Sequence, residues 1–206
     1  MTANELLFQA ATAIFAITGV LAAARQNMDV MSFVIIGVVT AIGGGTVRDI
    51  TLNAPVFWLQ DQRFLYVAAA AAAATFFLEQ RFRATYKAFL YLDAVATAVF
   101  AVLATEKTLA LGFGNGVGVV MGVTTGIGGG IIRDLLTGQP TLLSKRELYM
   151  TPILFGVIPF VAALDSTHSN TATLAPLAML AIAILRIGAI RFGWCFPDWL
   201  TYKPLK

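Results

Sequence analysis

Arginine and aspartate stand side by side twice in this sequence, each time shortly after three glycines. Residues 43–49 read Gly-Gly-Gly-Thr-Val-Arg-Asp and residues 128–134 read Gly-Gly-Gly-Ile-Ile-Arg-Asp, an offset of 85 residues. Both stretches close an apolar run. Glycine costs a helix interior about 1 kcal/mol relative to alanine. Gly43, Gly44 and Gly45, and again Gly128, Gly129 and Gly130, therefore predict an interrupted helix. An interruption frees amides and carbonyls, which a bilayer tolerates only where the backbone is buried in protein or lines a wet cavity. Freed carbonyls can replace the water around a cation, and the half-helix after each break presents its positive N-terminal end. Thr40 and Thr46 flank the first triad, and Thr124 and Thr125 precede the second. Their hydroxyls either line a pore or bond back to the carbonyl four residues earlier. Arg48-Asp49 and Arg133-Asp134 are ionisable pairs in apolar surroundings, which makes them functional candidates. Each arginine either clamps carbonyls left by the break, with its aspartate as counter-ion, or touches a permeating species. Asp93, near the start of another apolar run, either snorkels to the interface or pairs with a basic neighbour, and joins the gating or charge-clamp candidates.

Other chemistries lack their residues. No Gly-x-Gly-x-x-Gly occurs, and no glycine run is followed by the Lys-Ser/Thr of a phosphate-binding loop. One histidine, His168, and one cysteine, Cys195, do not make a His/Cys metal site, and nothing resembles a nucleophile with its base. The sequence thus predicts no catalytic residue, no metal site and no cofactor. Cys195 reads as a bland residue of the tail, and His168 as a solvated histidine in the polar turn 165–170, with a pH sensor as the alternative.

The elements that must hold these residues are membrane helices. The chain of 206 residues is 58% hydrophobic and 12% charged, with mean hydropathy +0.80, whereas soluble domains carry about 25% charged residues. The apolar runs are continuous rather than alternating, which excludes a β-barrel. Seven runs stand out, near 5–24, 30–50, 63–79, 88–105, 111–132, 148–164 and 172–190. At about 20 residues per span, they leave no room for a soluble catalytic domain. The net charge of +3 reports orientation rather than nucleic-acid binding. With the N-terminus outside, eleven basic residues fall inside (Arg25, Arg81, Arg83, Lys87, Arg133, Lys145, Arg146, Arg186, Arg191, Lys203 and Lys206) and three outside (Arg48, Arg63 and Lys107). The chain is therefore expected in the cell inner membrane, multi-pass, with its C-terminus in the cytoplasm. Glu5 ahead of the first run, with no basic segment before it, argues for a span rather than a signal peptide.

At the offset of 85, residues 36–55 and 121–140 match at ten of twenty positions. The repeat divides the chain into residues 1–84, residues 85–168 and a closing segment, 169–206, that holds the seventh span and the tail. Three spans per repeat force the second copy to run opposite to the first, so the two triads can meet near mid-membrane. The expected fold is all-α and integral to the membrane: two inverted three-helix repeats plus a seventh helix, with spans two and five broken by glycine. Inverted repeats with interrupted helices serve substrate and ion paths. Glycines 114, 118, 122, 126 and 130 recur every fourth residue, the small-residue spacing that lets helix backbones touch. Residue types alone leave a channel and a secondary transporter of a small solute, such as an amino acid, both open.

The two Gly-Gly-Gly-x-x-Arg-Asp motifs, with Phe15-Ala-Ile-Thr-Gly19 upstream and Pro55-Val-Phe-Trp58 downstream, resemble the prokaryotic trimeric intracellular cation channels, whose duplicated domain also carries the label glycine transporter. The resemblance spans about residues 5–190. It implies a homotrimer with a pore in each subunit, conducting potassium and sodium between helices bent at Gly43–Gly45 and Gly128–Gly130. The lipid bilayer and monovalent cations are then the partners, and a bound lipid is a further candidate ligand. Two departures stand out. The region equivalent to a lysine motif of animal members holds Thr124 and Thr125 and no lysine, and Phe8 occupies the position offset from Asp93.

Overall fold

The structure is a computed structural model that describes residues 3–24, 26, 28–82, 85–167 and 171–200. Arg25, Arg83, His168, Lys203 and Lys206, used above, lie outside the described residues. Among the described residues the chain forms eight α-helices: α1 (Ala3–Ala23), α2 (Val30–Thr51), α3 (Phe57–Gln60), α4 (Arg63–Phe82), α5 (Tyr86–Ala110), α6 (Asn115–Leu136), α7 (Thr151–Thr167) and α8 (Thr171–Phe192). Asp29 starts α2 by accepting a hydrogen bond from the Ser32 amide, and Thr85 starts α5 by accepting one from Ala88. Helices α1, α2, α5, α6 and α8 are long and apolar enough to cross a membrane. The other two expected spans are also helical, α4 carrying charges near its ends and α7 being a shorter apolar helix. The corner at Pro55 leads into a single helical turn, α3, that the sequence reading did not foresee.

Both glycine triads lie inside unbroken helices, which corrects the expectation of broken spans. The physical reason is the solvent. The glycine penalty of about 1 kcal/mol per residue was measured where water takes over the freed backbone groups. In hydrocarbon each unpaired amide or carbonyl costs several kcal/mol, so the helical ladder wins. The threefold loss of side chains is used for packing instead. A Cβ on Gly44 would stand 2.4 Å from the Thr125 carbonyl oxygen, and one on Gly129 would stand 2.3 Å from that of Thr40. The two contacts exchange under the 85-residue offset, 44 with 129 and 40 with 125. Thr40 meets Gly129 while the later Gly44 meets the earlier Thr125, so α2 and α6 cross antiparallel. Each glycine turns a Cα hydrogen toward the facing carbonyl, a weak bond common where helices touch.

The two helices also end alike. The Leu52 and Ala54 amides bond back to the Arg48 and Asp49 carbonyls, and the Thr137 and Gln139 amides to those of Arg133 and Asp134. Asn53 (φ 50°) and Gly138 (φ 62°) occupy the same left-handed position, where asparagine and glycine are tolerated and other residues strain. Gly138→Ala is therefore expected to cost about 1 kcal/mol and Asn53→Gly close to nothing, read from thermal melts of purified protein.

Two apolar cores divide the molecule. One gathers Phe15, Val20, Phe33, Ile36 and Ala72 of α1, α2 and α4. The other gathers Phe89, Val102, Ile153, Val157 and Ile182 of α5, α7 and α8 with part of α6. The alanine run of α4 packs tightly, Ala68 and Ala72 being fully buried, and the space for a Gly37 Cβ is taken by Ala72. Apolar side chains such as Ile35, Val47, Phe155, Ile158, Leu180 and Ile184 point outward, as a lipid-facing surface requires.

Candidate functional site

The Arg-Asp pairs sit one turn beyond the glycine crossing, at opposite ends of the antiparallel pair. In each centre the arginine Nε donates to Oδ1 of the next residue's carboxylate, at 2.8 Å for Arg48–Asp49 and 2.9 Å for Arg133–Asp134. The second carboxylate oxygen fastens the chain after the helix. Asp49 Oδ2 accepts from the Phe57 amide at 2.9 Å, and Asp134 Oδ2 from the Leu142 amide at 3.0 Å. Phe57 and Leu142 are again 85 apart, so the same clamp was built twice. The aspartate caps α3 in one copy and the 3-10 turn Leu142–Ser144 in the other.

The centres differ in their further partners. Arg133 Nη1 donates to Asp93 Oδ1 of α5 at 2.7 Å and to the Thr18 hydroxyl of α1 at 3.1 Å, while its guanidinium lies 4.6 Å from the Phe89 ring centre. Arg186 of α8 brings Nη2 to 3.7 Å from Asp93 Oδ2, donates through Nη1 to the Leu148 carbonyl at 3.0 Å and stacks on Tyr149 at 4.3 Å. Arg133, Asp93, Asp134 and Arg186 are all buried, two positive and two negative charges together. Burial without water makes this pairing obligatory. The expected pairing partner of Asp93 is thus Arg133 together with Arg186. The first centre holds Arg48, Asp49 and Lys107, whose Nζ lies 2.8 Å from Asp49 Oδ1. Two cations share one carboxylate, and Phe8 stands where the offset would place a second acid.

Arg48, Arg133 and Arg186 are interior groups rather than loop charges. Removing them changes the orientation count from eleven against three to nine against two, without changing its sign.

The threonine hydroxyls mostly bond back along their own helix: Thr40 to the Ile36 carbonyl at 2.6 Å, Thr46 to Ile42 at 2.8 Å and Thr124 to Val120 at 2.8 Å. Thr46 also accepts from Trp58 Nε1 at 2.9 Å. Thr40 is fully buried under the crossing and Thr124 is exposed. Of the four, Thr125 alone has a buried hydroxyl without a hydrogen-bond partner.

Space opens on both sides of the crossing. A cavity of about 290 Å³ lies beside the first centre, lined by Arg48, Lys107, Glu106, Phe8 and Leu103 among others. A smaller one of about 50 Å³ lies beside the second, lined by Asp134, Phe89, Tyr86 and Lys145 among others. Lys145 donates to the Tyr86 hydroxyl there and lies 4.4 Å from its ring centre. Sequence reasoning assigned Lys107, Thr18 and Arg186 no part in these centres. The only signal for Lys107 and Arg186 was a basic residue near the end of an apolar span, which the orientation count absorbed.

A family model described as Glycine transporter matches twice, at residues 5–80 and 90–165, and the two starts are again 85 apart. The chain is 39% identical over 188 residues to UPF0126 inner membrane protein YadS of Escherichia coli, covering 90% of this chain and 91% of that protein. It is 37% identical to a UPF0126 membrane protein of Vibrio cholerae over 93% of this chain and 81% of that one. Its structure is similar to that of the TRIC trimeric intracellular cation channel orthologue from Rhodobacter sphaeroides, with a TM-score of 0.89 and 36% identity over 94% of this chain and 100% of that one. The matched family model is a transporter's and the similar structure a cation channel's, neither of them an enzyme, and the relatives together with the apolar helices make this a multi-pass inner membrane protein. An 85-residue unit repeated across both family matches, and a fold shared over nearly the whole chain, leave one assignment: the chain belongs to the prokaryotic TRIC family, whose members also carry the UPF0126 and glycine transporter labels.

Proposed function

We propose that the protein is a monovalent cation channel, selective for potassium and sodium, with a conduction path in each subunit of a homotrimer. The observation that carries this reading is the full-length likeness to the cation channel orthologue at 36% identity. Residues 1–84 and 85–168 form the two inverted repeats, and 169–206 the seventh helix and tail. Seven helices, α1, α2 and α4 through α8, cross the membrane, with the N-terminus outside. The first centre then faces the outside and the second the cytoplasm. The path runs along α2 and α6, between the cavity at Arg48 and the cavity at Asp134. Gly43–Gly45 and Gly128–Gly130 form its constriction, where backbone contact closes it, and opening separates the two helices. Arg48-Asp49 and Arg133-Asp134, with Asp93, act as charge clamps that hold the helix ends rather than as ion ligands. Each arginine has an adjoining carboxylate, which lessens the repulsion a bare guanidinium would exert on a cation. Of the threonines, Thr125 alone has a hydroxyl with no hydrogen-bond partner; Thr40 and Thr124 donate to their own helices, which leaves their oxygen lone pairs for an ion, and Thr46 also accepts from Trp58.

The test is single-channel recording from purified protein in planar bilayers under a potassium chloride gradient. Discrete steps with a reversal potential toward that of potassium are expected, and Thr124→Val is expected to leave step size unchanged. A silent bilayer combined with saturable amino-acid uptake into liposomes of the same protein would replace the channel with a secondary transporter. That second reading draws on the description of the matched family as Glycine transporter.

A further inference from the structure

Helix α8 holds 22 residues and so rises about 33 Å, close to the roughly 30 Å of a bilayer's hydrocarbon core. Phe192, its last residue, therefore stands at the level of the headgroups. The chain does not continue outward from there. Gly193, with φ 66°, turns it, and the Trp194 amide donates back to the Ala189 carbonyl at 3.1 Å. The Trp194 carbonyl then accepts from the Leu148 amide at 3.0 Å, and Cys195 pairs with Glu147 in an antiparallel bridge. Leu148 lies just before the start of α7. The segment is thus fastened across the end of the α7–α8 pair, level with the membrane surface, and a 3-10 turn at Asp198–Leu200 continues it.

What the segment displays there is apolar. Phe192, Trp194, Phe196, Trp199 and Leu200 are all exposed, Trp199 at 80%, and two of the chain's three tryptophans are among them. Large apolar side chains grouped on one surface mark a contact. Two observations identify its occupant as lipid. The first is continuity: a cavity of about 190 Å³ behind Trp194 is walled by Leu148, Pro152, Leu185 and Phe155, and Phe155 belongs to the outward, lipid-facing side of α7. The second is charge. Arg146, next to the bridge, and Arg191, in the last turn of α8, are exposed near the aromatic side chains, and Lys203 and Lys206 follow in the sequence. Aromatic and basic residues together are the composition of a segment lying at anionic headgroups. We propose that residues 192–200 form a membrane-surface anchor, with the aromatic side chains in the headgroup and upper acyl region and Arg146 and Arg191 at anionic lipid phosphates. Tryptophan suits that depth because its ring is apolar while its N–H needs a polar partner. The anchor also touches the second centre: the Leu148 peptide that donates to Trp194 accepts, through its carbonyl, from Arg186, the partner of Asp93. Its place at the membrane surface is independent of which solute the protein carries.

The experiment uses the full chain in nanodiscs of phosphatidylcholine and phosphatidylglycerol. Trp58→Phe with Trp194→Phe leaves Trp199 as the sole tryptophan emitter. Cys195, the chain's single cysteine and exposed, carries a bimane label in the parent as a second reading that needs no substitution. Lipids brominated in the upper acyl chain are expected to quench most of the emission of both probes, and acrylamide in the water little of it. Omitting phosphatidylglycerol is expected to shift that balance toward acrylamide. Stronger quenching by acrylamide than by brominated lipid places the segment in water and overturns the anchor. Quenching by neither places it against protein, a second copy included, and overturns the anchor equally. An unchanged balance without phosphatidylglycerol overturns the preference for anionic lipid. If the double variant melts below the parent, the Cys195 label alone decides.

Discussion

Gly129→Ala and Gly44→Ala are each expected to destabilise the protein by about 3 kcal/mol or more, the upper end of overpacking costs. The reason is what the new methyl group meets. At both positions it lands within 2.4 Å of a backbone carbonyl oxygen on the facing helix, and backbone cannot rotate away as a side chain can. The neighbouring glycine supplies the control. A Cβ on Gly43 meets Ile132 Cδ1 at 2.8 Å, the far end of a flexible side chain, and alanine returns about 1 kcal/mol of helix propensity. Gly43→Ala is accordingly expected to lie within about 1 kcal/mol of the parent. Thermal melts of the three variants in one detergent make the comparison. Leucine at 44 or 129 would fill the space that separating the two helices opens and is expected to abolish cation flux. Normal flux through well-folded Gly129→Leu would remove the triads from the conduction path. Equal melts for Gly43→Ala and Gly129→Ala would show that the crossing is looser than the carbonyl contacts imply.

The glycine triads also mark where sequence reasoning stopped. Their repetition at 85 residues, the apolar runs and the ionisable pairs at their ends were all legible, because lipid leaves few ways to place an apolar run and fewer to place a charge. The internal state of the helix was not. Propensity argued for a break at Gly43–Gly45, while hydrogen bonding in hydrocarbon and the approach of Thr125 argued against it. The second argument needs the partner helix, which the local sequence does not name. Arg186 was missed for the same reason. It lies 93 residues from Asp93, on a helix with no counterpart in the repeat, and a basic residue near a span end carries the same signature whether it snorkels to water or turns inward. Asp93 itself was legible as unusual. Phe8, at the position offset from Asp93, was the local clue that the two centres differ.

Asp93→Asn is expected to destabilise the protein by about 3–5 kcal/mol, the cost of leaving a buried ion pair with one partner. The variant keeps the shape of the side chain and removes the charge that two arginines share. Arg133 would retain Asp134, at 2.9 Å, but Arg186 would keep only the Leu148 carbonyl and the face of Tyr149. Both guanidinium groups are within 1% of complete burial, so water cannot replace the lost charge without opening the α5–α8 contact. Lys107→Met at the other centre is the contrasting case. It removes one of two cations from Asp49, which keeps Arg48, and Lys107 is 32% exposed. Its cost is expected to stay below about 1 kcal/mol, as for pairs that water already reaches. The double variant Asp93→Asn/Arg186→Met separates charge from packing. Removing the stranded cation together with its partner is expected to restore about half of the loss, a coupling of the size seen between residues in one network. If the double variant melts at or below the single one, Arg186 is held by Tyr149 and Leu148 rather than by Asp93. The second centre would then be an Arg133 clamp alone, as symmetric with the first as the motif suggests.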